Sequence, residues 1–241
     1  MGERGPPKCG EPVSGSGTAE EVKRAVRLVE FNLHLARYAH RSWYENALAG
    51  PKAALLLGKE PGGLAREVEP QVSQWLLQEL GLQAQMDWSL DRPQKRLWLL
   101  DKQALERLAL ELALAMHREW LVRIIDSNRV RAVSAKVGTS LVRFVVGDLP
   151  EGCLHYHSSV VNLDGDLSRL DEKLKEQGIR TLVALLEPEW HAVRARASLF
   201  FDRALGLDSV PPLQSPLVQR ALDLIGGHLL PRRFPEWAWC F

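Results

Sequence analysis

From Pro93 to Pro150 no proline interrupts the chain, and only Gly138 and Gly147 offer a break between them. A span that long, dense in leucine and free of breakers, folds as a series of helices. Asp101 is placed to cap one of them, whose Leu105, Leu108, Leu112 and Met116 form a stripe at helical spacing. Leu110 and Leu114 widen the apolar arc beyond that of a surface helix, so this helix is expected at the centre of the fold. Fully burying one such leucine is worth about 1.5–3 kcal/mol, against a whole-protein margin of about 5–15 kcal/mol. Two more helices are expected at Ser127–Val137, with Ser127 at the N-cap, and at Thr139–Val146, with Gly138 separating them.

The rest of the chain fits the same class. Residues 1–18 are rich in Gly, Pro and Ser and hold little that could be buried, which marks them as a flexible tail. From Ala19 the valines and alanine at 22, 25, 26 and 29 recur at helical spacing, with Thr18 as N-cap and Glu21 at the capping-box position, so a helix is expected to about Glu30. Ser42–Leu57 suggests short helices broken at Gly50-Pro51, and Leu64–Leu80 a helix ending at Gly81, with Pro70 as an alternative start. Further helices are expected at Ser168–Gln177, closed by Gly178; from Pro188 to Ala204; and from Ser215-Pro216 to about Leu230. Only Arg96–Leu100 and Thr181–Leu186 have strand character, and the run from Thr181 fits a buried helix equally well. The expected architecture is mainly α: one globular helical domain over residues 19–241, at most one or two short β-strands, and the flexible N-terminal tail.

Charge and cysteine usage narrow the function classes. Thirty-one Lys and Arg against 30 Asp and Glu leave a formal charge of +1, so no global basic field draws the protein to nucleic acid or anionic lipid. Cys9, Cys153 and Cys240 are an odd, widely spaced set without a CxxC pair, which suits a reducing cytoplasm. The stretch Leu108–Met116 is too short to span a bilayer and carries Glu111 at its middle, so no membrane insertion is expected.

No GxGxxG, Walker A, GxSxG or HExxH sequence is present, and no cofactor is expected. The best metal constellation is His155 and His157, two apart and therefore on one side of an extended strand, with Asp164 and Asp166 nearby. The competing reading is a polar loop, and the enzyme hypothesis these residues define is a small helical metalloenzyme. Arg129, Lys136 and Arg143 repeat every seven residues and would form a basic ridge if Gly138 left the helix continuous. That ridge reads as a solvated face, as a docking surface for an acidic protein, or as a weak case for a DNA-binding regulator. The last eight residues hold Phe234, Trp237, Trp239 and Phe241, which either fold back on the core or anchor in a partner's groove.

The string Phe31-Asn32-Leu33-His34-Leu35-Ala36-Arg37-Tyr38-Ala39-His40-Arg41-Ser42-Trp43 resembles the N-terminal signature of the YscK/SctK family of type III secretion proteins. Arg96–Ala115, continuing through His117–Leu121 to Arg131-Ala132, is similar to that family's central helical block, and Pro235-Glu236-Trp237 with Phe241 to its C-terminus. The resemblance implies a non-enzymatic, cytoplasmic adaptor of the sorting platform, peripheral at the base of the secretion apparatus. Its implied partners are an SctD-like inner-membrane ring protein and an SctQ-like pod protein, and through the latter the SctL stator and the SctN ATPase. It brings no catalytic residues. Under this reading the expected partner contacts are Tyr38, His40 and Trp43, the ridge of Arg129, Lys136 and Arg143, and Trp237, Trp239 and Phe241.

Overall fold

The structure, a computed structural model, describes residues 16–45, 64, 66–89, 91–124, 126–152 and 167–241. In chain order the helices are α1 (Ser16–Leu33), α2 (Glu69–Glu79), α3 (Pro93–Arg96), α4 (Lys102–Met116), α5 (Arg118–Arg123), α6 (Ser127–Val137), α7 (Thr139–Gly147), α8 (Leu170–Ala184), α9 (His191–Leu199), α10 (Ser215–Leu224) and α11 (Leu230–Arg233). No strand occurs among the described residues, and the fold class is mainly α. Residues 1–15 of the expected tail, and 46–57 of the expected short helices, lie outside the described residues.

Asp101 caps the central helix as its position predicts, its carboxylate accepting from the Ala104 amide at 2.7 Å. Along α4 the residues Leu105, Leu108, Ala109, Leu112 and Ala113 have no exposed surface, and Leu114 on the widened arc is equally buried. The partner that covers them is α8, the most intimately packed neighbour of α4. Gly178 explains the closeness: a Cβ there would meet the Ala109 carbonyl oxygen at 1.8 Å. It lies inside α8 rather than closing the helix, so the expected stop at Gly178 is a packing site instead. With the two backbones in contact, Thr181–Ala184 continues the buried helix, and the strand alternative for that run is overturned. Arg96–Leu100 is likewise not a strand: α3 runs into a tight turn at Leu97–Leu99, all three buried.

Local chemistry moves several boundaries. α1 begins at Ser16, so Thr18 sits within its first turn and does not cap it. Pro70 occupies the first turn of α2, which starts at Glu69 and not at Leu64. Asp126 caps α6 in place of Ser127, accepting from the Asn128 amide at 2.8 Å. Gly138, at φ +94°, turns the chain between α6 and α7. α9 starts at His191, three residues past Pro188, and ends at Leu199. Beyond α10 the helical path continues through a widened π turn at Ile225–Leu229 into α11. The widening precedes Pro231, whose ring and missing N–H are incompatible with a regular α-helical ladder.

Two apolar cores result. The larger gathers α4 to α11 with the C-terminal turn. The smaller is built by Leu35, Ala36, Tyr44, Val72, Leu76, Leu77, Leu82 and Leu199.

Candidate functional site

The string that carries the family resemblance, residues 31–43, bridges the two cores, and most of its polar side chains bond within the molecule. Buried Asn32 is fully engaged with residue 87: its Nδ2 donates to the Asp87 carbonyl at 2.8 Å and its Oδ1 accepts from the Asp87 amide at 3.1 Å. The Ala36 amide donates to Ser73 Oγ on α2 at 3.0 Å. Glu69 at the start of α2 takes Arg37 at 2.8 Å and His34 at 3.3 Å.

Three of the expected docking residues belong to this bridge. Tyr38 donates its hydroxyl to the Phe31 carbonyl at 2.7 Å, and its ring stacks on Phe200 with centroids 4.2 Å apart. Burial pushes the Tyr38 phenol well above its usual pKa. The His40 amide donates to the Leu199 carbonyl at 2.6 Å, and its imidazole hydrogen-bonds Ser42. Burial, with Lys102 nearby, holds that imidazole below the usual histidine range. Trp43 donates Nε1 to the Phe201 carbonyl at 2.9 Å, under the guanidinium of Arg203. All three are half-buried.

Behind the bridge lies Arg196, with no exposed surface. Its guanidinium donates to the carbonyls of Gln85, Ala192 and Leu82, so it is solvated by backbone in place of water. Burial depresses its pKa, against the opposing pull of Tyr38 and Asp87. Sequence pattern gave no sign of this residue, since an arginine on a short helix ordinarily reaches solvent.

The basic ridge does not form as one row. Arg129 and Lys136 share a face of α6, but Gly138 places Arg143 on α7, where it is exposed. Arg129 lies over the Trp120 ring at 5.7 Å, and Lys136 donates to the Ser168 carbonyl at 2.6 Å, so this face leans on the molecule itself.

The C-terminal aromatics divide. Phe234 and Trp237 are buried in the larger core, Trp239 is half-buried, and Phe241 is exposed. A buried ion pair fixes their approach: Glu111 of α4, 2 % exposed, takes Arg233 through two bonds of 3.0 and 3.1 Å. Cys240 is fully buried, and burial pushes its thiol up to about 12, which keeps it protonated and inert.

A surface that the sequence did not single out lies beside these aromatics. The stripe of Val22, Ala25, Val26 and Val29, whose spacing predicts the helix, points to solvent; Val22 is 61 % and Val26 52 % exposed. α1 rests instead on Leu28 and Phe31, larger side chains on its other face, and Arg24 anchors it by donating to the Trp239 carbonyl at 2.7 Å. Between the stripe and Trp237 and Trp239 a groove of about 650 Å³ opens, floored by Ala104 at the start of α4. A second hollow of about 320 Å³ shares Arg27, Asp101 and Gln103 with it and extends to Tyr38 and Phe200, so one furrow follows α1.

His155, His157, Asp164 and Asp166 lie outside the described residues. Among the described residues no group of three or more His, Cys, Asp or Glu side chains is placed to hold a metal, and no helix is long and apolar enough to cross a membrane.

No curated protein and no solved structure matches the chain. The family model for YOP proteins translocation protein K (YscK) matches residues 28–152, from the end of α1 through the bridge and the central helices to just past α7. With more than half of its length so matched, and with the bridge inside the match, the chain belongs to the YscK family of type III secretion proteins.

Proposed function

We propose that the protein is a non-catalytic adaptor of the cytoplasmic sorting platform, joining an SctQ-like pod protein to the cytoplasmic domain of an SctD-like inner-membrane ring protein. Through the pod protein it serves the SctL stator and the SctN ATPase, and it works at the cytoplasmic base of the apparatus. Family membership supports a secretion role. The observation that carries the adaptor reading is the valine stripe of α1, an exposed apolar face beside a groove on a chain whose formal net charge is only +1. Such a face is a binding surface, and its energy is realised on association rather than in folding.

The test is reconstitution from purified components. Size-exclusion chromatography of the protein with each partner, and with both together, is expected to give two binary complexes and one ternary complex. Deleting the gene is expected to abolish secretion, with rescue by the wild type. Failure to bind either partner, or undiminished secretion in the deletion strain, overturns the reading.

A further inference from the structure

The furrow along α1 has both a shape and a charge that define what fits it. Its outer wall carries Val22 and Val26, at positions i and i+4, and exposed Val29 continues the row along α1 beyond the lining, a repeat at the pitch of a helix that accepts the ridges of another helix. α1 is 18 residues long, roughly 27 Å at 1.5 Å per residue, enough for a docked helix of several turns. The inner wall is aromatic, with Trp237 and Trp239 as the kind of rigid side chain that dominates binding energy.

The charges are unbalanced. The three acids lining the furrow already have partners: Glu30 holds Arg27 and Arg37, each at 3.0 Å; Glu236 lies 3.9 Å from Arg107; and Asp101 caps α4. Two lining cations, Lys23 and Lys102, form no ion pair among the described residues. A second copy of α1 laid in the furrow would bring Lys23 and Arg27 of one chain toward the same cations of the other. A flat lipid surface would leave the concave inner wall empty.

Resting on the adaptor reading, we infer that this furrow is the seat of an amphipathic helix with an acidic flank, supplied by one of the two protein partners. The apolar face of that helix packs on the valine stripe and the tryptophans, and its carboxylates reach Lys23 and Lys102. Hydrophobic contact sets the affinity, while the lysines set the salt dependence and the rate of encounter.

The experiment measures affinity of the full chain for the purified SctQ-like protein and for the SctD-like cytoplasmic domain by calorimetry, at low and high salt. Thermal melting and sedimentation are run on the same samples. The variants are the double substitution V22D/V26D and Lys23→Glu. Expected are a loss of tenfold or more for one partner with V22D/V26D, a loss of threefold or more at low salt with Lys23→Glu, and unchanged melting and sedimentation. If the wild type binds neither partner, the adaptor reading falls and takes this inference with it. If the wild type binds and V22D/V26D binds equally well, the furrow is overturned and the adaptor reading stands. A melting temperature lowered by V22D/V26D would show that the chain covers its own stripe. A wild-type dimer that V22D/V26D dissolves would show that a second copy does. Either result overturns the inference, and a neutral Lys23→Glu overturns its acidic chemistry.

Discussion

The close contact between α4 and α8 depends on Gly178. This residue lets α4 and α8 approach until the Ala109 carbonyl occupies the space of a side chain. Because the obstructing atoms are backbone, Gly178→Ala cannot be relieved by a rotamer change and is expected to cost on the order of 3 kcal/mol. Gly226→Ala is the matched control: a Cβ added there would meet nothing within 4 Å, so reduced unfolded-state entropy is expected to stabilise the variant by about 0.5 kcal/mol. Urea denaturation separates the two, with opposite shifts in midpoint at a constant slope. In sequence the two glycines look alike, since what distinguishes them is a residue sixty-nine positions away.

The elements show why some boundaries were legible and others were not. Caps and prolines are local devices, so Asp101, Pro70, Gly138 and Gly81 mark real ends, with Gly81 at φ +63°. The run from Thr181 was ambiguous because a buried helix and a buried strand are both continuously apolar, and only the contact with α4 decides between them. In α1 the regular stripe has the period of a helix and predicts one, but it does not tell which face is buried: Leu28 and Phe31 bury more area per residue than valine and take the inward face. The join between α4 and α5 carries a pH response. His117 hydrogen-bonds Gln177 of α8 at 2.9 Å through Nε2, and burial holds its pKa below the usual value despite that bond. The unfolded chain therefore binds a proton more readily than the folded one, so stability falls as pH drops through and below about 6.5. Melting between pH 7.5 and 5.5 is expected to decline for the wild type and to decline less steeply in His117→Gln, which keeps a polar side chain but cannot titrate, the remaining slope including His40, whose folded pKa is also lowered.

At the scale of the whole molecule, the two cores are joined by the 31–43 bridge, by Arg196 and by α9, which gives Val193 and Ala197 to the larger and Leu199 to the smaller. Trp43→Phe removes the bond to the Phe201 carbonyl while keeping an aromatic ring, a loss of about 1 kcal/mol. Hydrogen exchange is expected to quicken in α2, which belongs to the smaller core, while amides of α4 and α8 exchange as before. Equal acceleration throughout would show that the molecule opens only as one unit. The helical class and the family were readable from the chain, because leucine spacing and the string from Phe31 to Trp43 are both linear patterns. The furrow along α1 was not, since its walls come from opposite ends of the chain and its inner tryptophans lie beyond residue 152, where the family match stops.

The internal bonds of the bridge tie its residues to the architecture. A string of residues that knits an architecture must be kept by any chain that keeps the architecture, whichever proteins it consorts with. Two homologues could then carry the same hallmark from Phe31 to Trp43 and still be unable to replace one another in each other's bacteria. On the furrow reading, their interchangeability would turn on Val22, Val26 and Lys23 on the outside of the first helix and on Lys102 of α4, where substitution leaves the scaffold intact.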